Sequence, residues 1–267
     1  MGRRLLDMWF GIVSLFPQMF SAVTAYGVTR RACEKGLIEV HTYNPRDYTY
    51  DKYKTVDDKP YGGGPGMLMK VQPLTDAISQ ARREAPVGTK VVCMSPQGAR
   101  LDHSLVTKFH EWGSIILVAG RYEGIDERVL QKQVDLEVSI GDYVLSGGEL
   151  PAMCVIDAVS RMVPGVLGDI QNAQEDSFAK GLLHFPQYTR PEAVDGDKVP
   201  DIVLCGDHAK IRRWRLQQAL GRTYERRPDL LRSRTFSDDE LMLIVDYLRD
   251  KGLEVEAKTI LFNIQGR

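Results

Sequence analysis

The sequence predicts an α/β fold: a mostly parallel sheet in a larger first domain, then a smaller, mainly helical domain. Three observations carry that prediction. Short apolar runs alternate with helical patterns as far as about residue 163, the strand–helix–strand rhythm of a parallel sheet. Three of these runs lead directly into glycine-bearing loops. Beyond residue 165 the periodicity is lost, and the composition turns polar and then basic. A chain of 267 residues has room for one large domain or two smaller ones.

The elements follow in order. Residues 9–16 (WFGIVSLF) read as a first core strand, ended by Pro17. Residues 74–84 and 103–112 read as helices between strands. Val91–Met94, Ser114–Ala119 and Val138–Ile140 read as strands, followed by "SPQG" (95–98), "GRYEG" (120–124) and "IGDYVLSGG" (140–148). Residues 151–163 form a helix, with Pro151 in its first turn and Pro164-Gly165 ending it. The expected division is a first domain over 1–165, a polar linker over 166–181 and a helical domain over 182–267. In the last, a turn-rich stretch (186–200) precedes a helix over 207–221, capped by Asp207 and Gly221. A final helix over 238–251 opens on the capping box Ser237-x-x-Glu240.

The net charge of −1 names no partner. Local charge says more: nine Lys/Arg between His208 and Arg234 face only Glu225 and Asp229, the footprint of a polyanion ligand. The four cysteines are scattered, form no CxxC and read as buried thiols of a reducing, cytoplasmic compartment. The histidines form no HExxH, so no zinc centre is expected. The early arginines and apolar run outline a signal peptide, but Asp7 and Pro17 interrupt it and no small-residue cleavage site follows. Met8 offers an internal start, which would make residues 1–7 an extension. No apolar run approaches the ~18 residues that a membrane span needs.

The glycine-rich "KPYGGGPGMLM" (59–69) invites a phosphate-cradle reading, but it contains neither a Gly-Lys-Ser/Thr nor a GxGxxG register. It is either a turn cluster or a backbone surface open to something flat. The three loops after strands converge where parallel sheets bind ligands. Glu123, Asp126, Glu127, Asp142 and Glu149 make them acidic, which suits a cationic ligand or ribose hydroxyls and disfavours a triphosphate. Arg161 either complements the dipole at the end of its helix or serves a nearby pocket. Asp176 is either a helix N-cap or an acid on a closing segment. The arginines of 207–221 do not fall on one helical face; beside Trp214 they suit RNA phosphates better than plain solvent.

Eight motifs in order carry a resemblance: "PYGGGPGM" (60–67), "MSPQG" (94–98), "GRYEGIDERV" (120–129), "SIGDYVLSGGELPAM" (139–153), "VSR..PGVLG" (159–168), "EDSF" (175–178), "YTRPE" (188–192) and "HAKIRRWR" (208–215). Together they resemble the bacterial tRNA (guanine-N1)-methyltransferase (TrmD) family of the SPOUT class, from about Trp9 to about Arg234. Ala99 after "SPQG" is a minor departure.

The resemblance implies a parallel sheet tied in a deep trefoil knot, an exception to the rule against threaded chains. It implies S-adenosyl-L-methionine as methyl donor. The donor would be held by Met94, Ser95, Pro96, Gly120, Arg121, Tyr122, Glu123, Ser139, Ile140, Gly141, Asp142, Tyr143, Val144, Leu145, Gly147, Gly148 and Pro151. It implies a homodimer with the active site at the subunit interface, and tRNA as substrate, methylated at the guanosine 3′ of the anticodon. Asp176 would be the general base, acting across the dimer, and Arg161 would stabilise charge on guanine O6. Pro65 and Gly66 would form a wall for the flipped-out base, and Arg212, Arg213, Arg215 and Arg222 would grip RNA. A magnesium requirement associated with the family finds no carboxylate cage here.

Overall fold

A computed structural model describes residues 7–168, 176–232 and 234–265, the last five of these by their backbone only. The extension over residues 1–6 and the centre of the expected linker, 169–175, lie outside the described residues. The chain divides into two compact units, residues 1–170 and 171–267.

The first unit is built on β1 (Met8–Val13), β2 (Ile38–Tyr43), β5 (Lys90–Arg100), β6 (Ser114–Ala119) and β7 (Leu136–Ser139). They form an all-parallel sheet in the order β2-β1-β6-β5-β7. A short antiparallel ribbon of β3 (Asp57–Asp58) and β4 (Leu68–Met69) frames the glycine-rich loop. The helices are α1 (Ser21–Thr24), α2 (Gly27–Glu34), α3 (Val71–Glu84), α4 (His103–Trp112), α5 (Glu127–Gln133) and α6 (Glu149–Ser160). All residues of β1 and β6 are buried, as expected of strands covered on both faces.

Strand alternation sorts the core into two layers. Met8, Phe10, Ile12, Val92, Ile115 and Leu117 pack with Phe109 of α4 and Val155, Ile156 and Val159 of α6. Trp9, Val13, Val91, Cys93, Ile116 and Val118 pack with Leu74, Ala77, Ile78 and Ala81 of α3.

Several boundaries differ from expectation, each for a local reason. β1 stops at Val13 because the Ser14 hydroxyl donates to Glu149 while its oxygen accepts the Phe16 amide. α3 starts at Val71, with Pro73 in its first turn. α4 matches 103–112, capped by the Asp102 carboxylate and left-handed Gly113. "SPQG" is not a strand-to-helix loop but a bulge within β5: Met94 and Ala99 both pair with Val138. A side chain on Gly98 would overlap the Glu137–Val138 backbone. α6 begins two residues early and hands over to turns after Ser160, which leaves Arg161 as C-cap. β2 and α2, which carried no expectation, complete the sheet edge.

The second unit holds α7 (Asp201–Leu204), α8 (His208–Arg226), α9 (Asp238–Asp250) and α10 (Glu254–Gln265), with a hairpin of β8 (Ala193–Val194) and β9 (Asp197–Lys198). Its core gathers Leu182, Leu220, Leu243, Ile244, Val245, Tyr247, Leu248 and Ala257. Gly221 is not a C-cap. It lies inside α8, beneath the Tyr247 ring, where a Cβ would overlap that ring. The expected capping box at Ser237 and Glu240 is present in both arms, and α10 is an addition to the expected elements.

The cysteines are corrected in part. Cys93 is buried, its thiol pushed up to about 12 by burial. Cys33 is half-buried, while Cys154 and Cys205 are exposed, the first on the outer side of α6 and the second just past α7. Among the described residues no helix is long and apolar enough to cross a membrane.

Candidate active site

The carboxyl ends of β5, β6 and β7 open on one cavity of about 290 Å³. Its walls are backbone-rich because three glycines let chain segments meet. Gly98 admits 137–138 against the β5 bulge. Gly148 sits where a Cβ would come within 2.7 Å of the Ala119 Cα, and its amide donates to the Gly120 carbonyl at 2.8 Å. Gly141, at φ +156°, lies under the Tyr143 ring, and its amide donates to the Ser139 hydroxyl oxygen at 3.2 Å. Tyr122 adopts a left-handed φ of 62°, a conformation that costs a non-glycine residue and persists only where its surroundings hold it.

Residues 94–96, 120–123, 139–141, 143–145, 147, 148 and 151 all line this cavity. Asp142 alone of the expected donor-holding set does not. Gln97, Ile125, Glu127, Leu130 and Glu137 line it too. Glu137 precedes the loop singled out in the sequence; it pairs with Cys93 of β5, just before the bulge, and its backbone lies against Gly98.

Of the acids expected in these loops only Glu123 and Glu127 line the cavity, and Glu137 joins them. Asp126 caps α5 and pairs with Arg128 at 2.7 Å; that guanidinium holds its carboxyl below the usual range. Glu149 is fully buried at the first residue of α6, where the helix dipole favours an anion. It accepts from the Ser14 hydroxyl and from Arg121 Nε, each at 2.8 Å. Arg121 also donates to the Ser146 carbonyl at 3.1 Å and lies over the Phe16 ring at 4.6 Å. This pair bolts the second loop, the third loop and the exit of β1 together, so its charge is compensated inside the protein.

The glycine-rich loop braces the same site from outside. Met69 N donates to Gly124 O, and Glu123 N to Met67 O, each at 2.9 Å. Gly66, at φ +83°, is pressed on the Glu123 side chain, which leaves no room for a Cβ. Pro65 and Gly66 therefore adjoin the cavity through Glu123 rather than lining it.

Arg161 belongs to the first unit, at the far end of the helix whose Pro151 lines the cavity; ten residues of helix span about 15 Å. Asp176 belongs to the second unit. There it lines a separate cleft of about 230 Å³ with Lys180, His184, Phe185, Arg212 and Arg215. Arg215 lies 4.7 Å over the Phe185 ring, which stacks on His184 at 4.0 Å. The seven-residue spacing puts Arg222 within roughly 20° of Arg215 around α8. Arg213 is exposed outside the cleft. Lys180, His184 and Phe185 carried no expectation, since they lie outside the basic segment singled out in the sequence. Among the described residues no group of three or more His, Cys, Asp or Glu is placed to hold a metal ion.

Comparison with known proteins places the chain in a family. The model of the family described as tRNA (Guanine-1)-methyltransferase TrmD matches residues 8–233. A tRNA (guanine-N(1)-)-methyltransferase of Tolumonas auensis is 57% identical over 247 residues, 92% of this chain and 99% of that protein. One of Chromohalobacter salexigens is 59% identical over 251 residues, 92% of this chain and 94% of that protein. With that match spanning both the cavity of the first unit and the basic helix of the second, the chain belongs to the tRNA (guanine-1)-methyltransferase TrmD family.

Proposed function

We propose that this enzyme, a tRNA (guanine-N1)-methyltransferase, uses S-adenosyl-L-methionine to methylate N1 of the guanosine 3′-adjacent to the anticodon. The observation that carries the reading is the cavity at the carboxyl ends of β5–β7: glycine-bearing, backbone-walled and edged by Glu123, Glu127 and Glu137. The donor is a sulfonium with an ammonium group, and carboxylates attract both. Adenine and ribose edges suit a cavity wall made of the 139–145 backbone segment. S-adenosyl-L-methionine supplies an activated methyl group that needs no metal; the remaining work falls to the chain.

Guanine N1 carries a proton, and its lone pair is drawn toward the ring carbonyl. A base must take that proton as the N1–methyl bond forms. Asp176 suits that role, because it stands at a cleft with Lys180, Arg212 and Arg215, cations that attract the RNA to which the acid must come. Negative charge then grows on O6, where a planar guanidinium stabilises it; we assign this to Arg161. Its distance along α6 from the cavity favours supply across a homodimer interface. Pro65 and Gly66 offer the base a flat face beside Glu123.

Arg212, Arg213, Arg215 and Arg222 bind the RNA backbone. A knotted sheet, a role in reading-frame maintenance, and residence in the cytoplasm with the tRNA belong to the same reading. The test is transfer of labelled methyl from S-adenosyl-L-methionine to unmodified tRNAs with and without a guanosine 3′ of the anticodon. Label at guanine N1 in the first alone is expected; transfer to neither, or to ribose oxygen, overturns the reading.

A further inference from the structure

The connection after β2 is more than a plain surface loop. Tyr50 and Tyr53 are 85% and 84% exposed, among the most exposed large side chains described. A mobile loop would display rings by accident, but this one is built. Both Asp51 carboxylate oxygens accept from the Thr55 amide, and one also accepts from Tyr53 N and the Thr55 hydroxyl. Those bonds hold the Asp51 carboxyl below its usual range. Arg46 donates to the Lys54 carbonyl at 3.2 Å and closes the neck, and Gln72 of α3 donates to the Tyr48 carbonyl at 2.7 Å. The Tyr50 hydroxyl donates to Asp76 at 2.9 Å, which fixes the ring against α3. Among the described residues the Tyr53 side chain makes no hydrogen bond or ring contact, so water alone meets its faces.

The loop stands on the ligand edge of the sheet. Tyr43, the last residue of β2, is level with Val13 of β1, which is level with Val118 of β6. The loop therefore leaves the sheet from the same edge as the cavity loops, two strand spacings, about 10 Å, from β6. Its far end runs through buried Val56 and β3 into the glycine-rich loop that is pressed on Glu123. The two rings are separated by Asp51 and Lys52 and flanked by Lys54. All three charged residues are exposed, so the rings form no continuous apolar patch of the kind that buries against a protein. Planar faces beside the ammonium groups of Lys52 and Lys54, the latter also 3.8 Å from the exposed Asp47 carboxylate, suit stacked bases and their phosphates.

We propose that Tyr50 and Tyr53, with Lys52 and Lys54, form a stacking platform for unpaired nucleotides of the RNA substrate. The platform rests on the reading of that substrate as tRNA, and it adds a base-contacting surface on the first unit to the basic helix of the second. Binding of the full chain is measured by fluorescence anisotropy on a stem–loop RNA and on a blunt duplex of the same stem. Tyr50→Ala/Tyr53→Ala is expected to weaken stem–loop binding by roughly 5- to 100-fold, given the usual contribution of one or two stacked bases. Duplex binding and the salt slope should hold. Tyr50→Phe/Tyr53→Phe, which keeps both rings but frees Tyr50 from Asp76, should lose far less binding than the alanine pair. Lys52→Ala should instead lower the salt slope by about 0.7.

Unchanged stem–loop binding by the double alanine variant overturns the platform, and so does an equal loss on both RNAs. A change in sedimentation mass would make the surface a contact between copies and would overturn it too. If the double variant fails to fold, Tyr53→Ser alone decides, since that side chain supports nothing in the fold. Methyl transfer by the parent is measured separately: its absence refutes the proposed reaction and leaves the binding comparison standing.

Discussion

The cavity of the first unit and the cleft of the second are made of opposite materials. The cavity is walled by backbone, kept open at Gly98, Gly141 and Gly148, and its nearest buried charge, Glu149, is already paired with Arg121. The cleft is walled by long side chains, Lys180, Arg212 and Arg215, around an Arg215–Phe185–His184 stack. A backbone wall is preorganised and holds one small ligand in one pose. Flexible cations tolerate many phosphate positions and lose affinity as salt rises. On the proposed reading the chain holds a small molecule in one place and a polymer in another, and substitutions should report which of the two they disturb.

The largest effects should come from the backbone wall. Gly98→Val would drive a side chain into the Glu137–Val138 backbone; a loss of about 4 kcal/mol or more is expected, with donor binding abolished, read by thermal melts and calorimetry. Unchanged melting would mean that the β5 bulge relaxes freely. Glu149→Ala would strand Arg121, which is 19% exposed, and should cost about 3–5 kcal/mol. A fall in stability without a fall in donor affinity would show that the pair braces the fold but not the cavity.

Next comes chemistry at the second unit. Asp176→Asn should lower turnover by roughly 10²- to 10⁴-fold while calorimetric donor affinity holds. Collapse of donor binding would make the residue structural. Arg212→Ala/Arg215→Ala should lower the slope of log K against log salt by about 0.7–0.9 for each phosphate no longer neutralised. A salt slope equal to the parent's would remove the cleft from the RNA surface.

The two regions were not equally legible. The cavity was readable because its positions are set by local chemistry: a glycine where backbones touch and a loop directly after an apolar run. Asp142 was over-read because turn geometry, not composition, decides which residue of "IGDYVLSGG" faces in. Glu137 was missed because its place depends on pairing with Cys93 of β5, some 40 residues away in sequence. Asp126 and Glu149 looked like ligand acids, since a sequence does not reveal that Arg128 and Arg121 already neutralise them. In the second unit, Gly221 read as a helix end by the ordinary rule for C-caps. Only the Tyr247 ring lying over it shows why a glycine is needed mid-helix, where it otherwise costs about 1 kcal/mol.

The same tyrosine yields the smallest prediction. Tyr247 donates to Glu225 at 2.8 Å and Lys251 donates to the same carboxylate oxygen at 3.2 Å. Burial works against ionisation of Glu225, but these two donors and the Lys251 charge outweigh it and hold the carboxyl below its ordinary range. A carboxyl whose folded value is depressed adds stability above its unfolded value and loses it as pH falls through the folded one. Tyr247→Phe keeps the ring over Gly221 and removes one donor. It should cost about 1 kcal/mol near neutral pH, and the cost should shrink as Glu225 becomes protonated in acid. Thermal melts of both proteins from neutral pH downward measure this directly. A difference that stays constant into acid would mean that the tyrosine acts through packing alone. Methyl transfer should be unmoved at neutral pH, since Tyr247 is not among the residues that line the cleft.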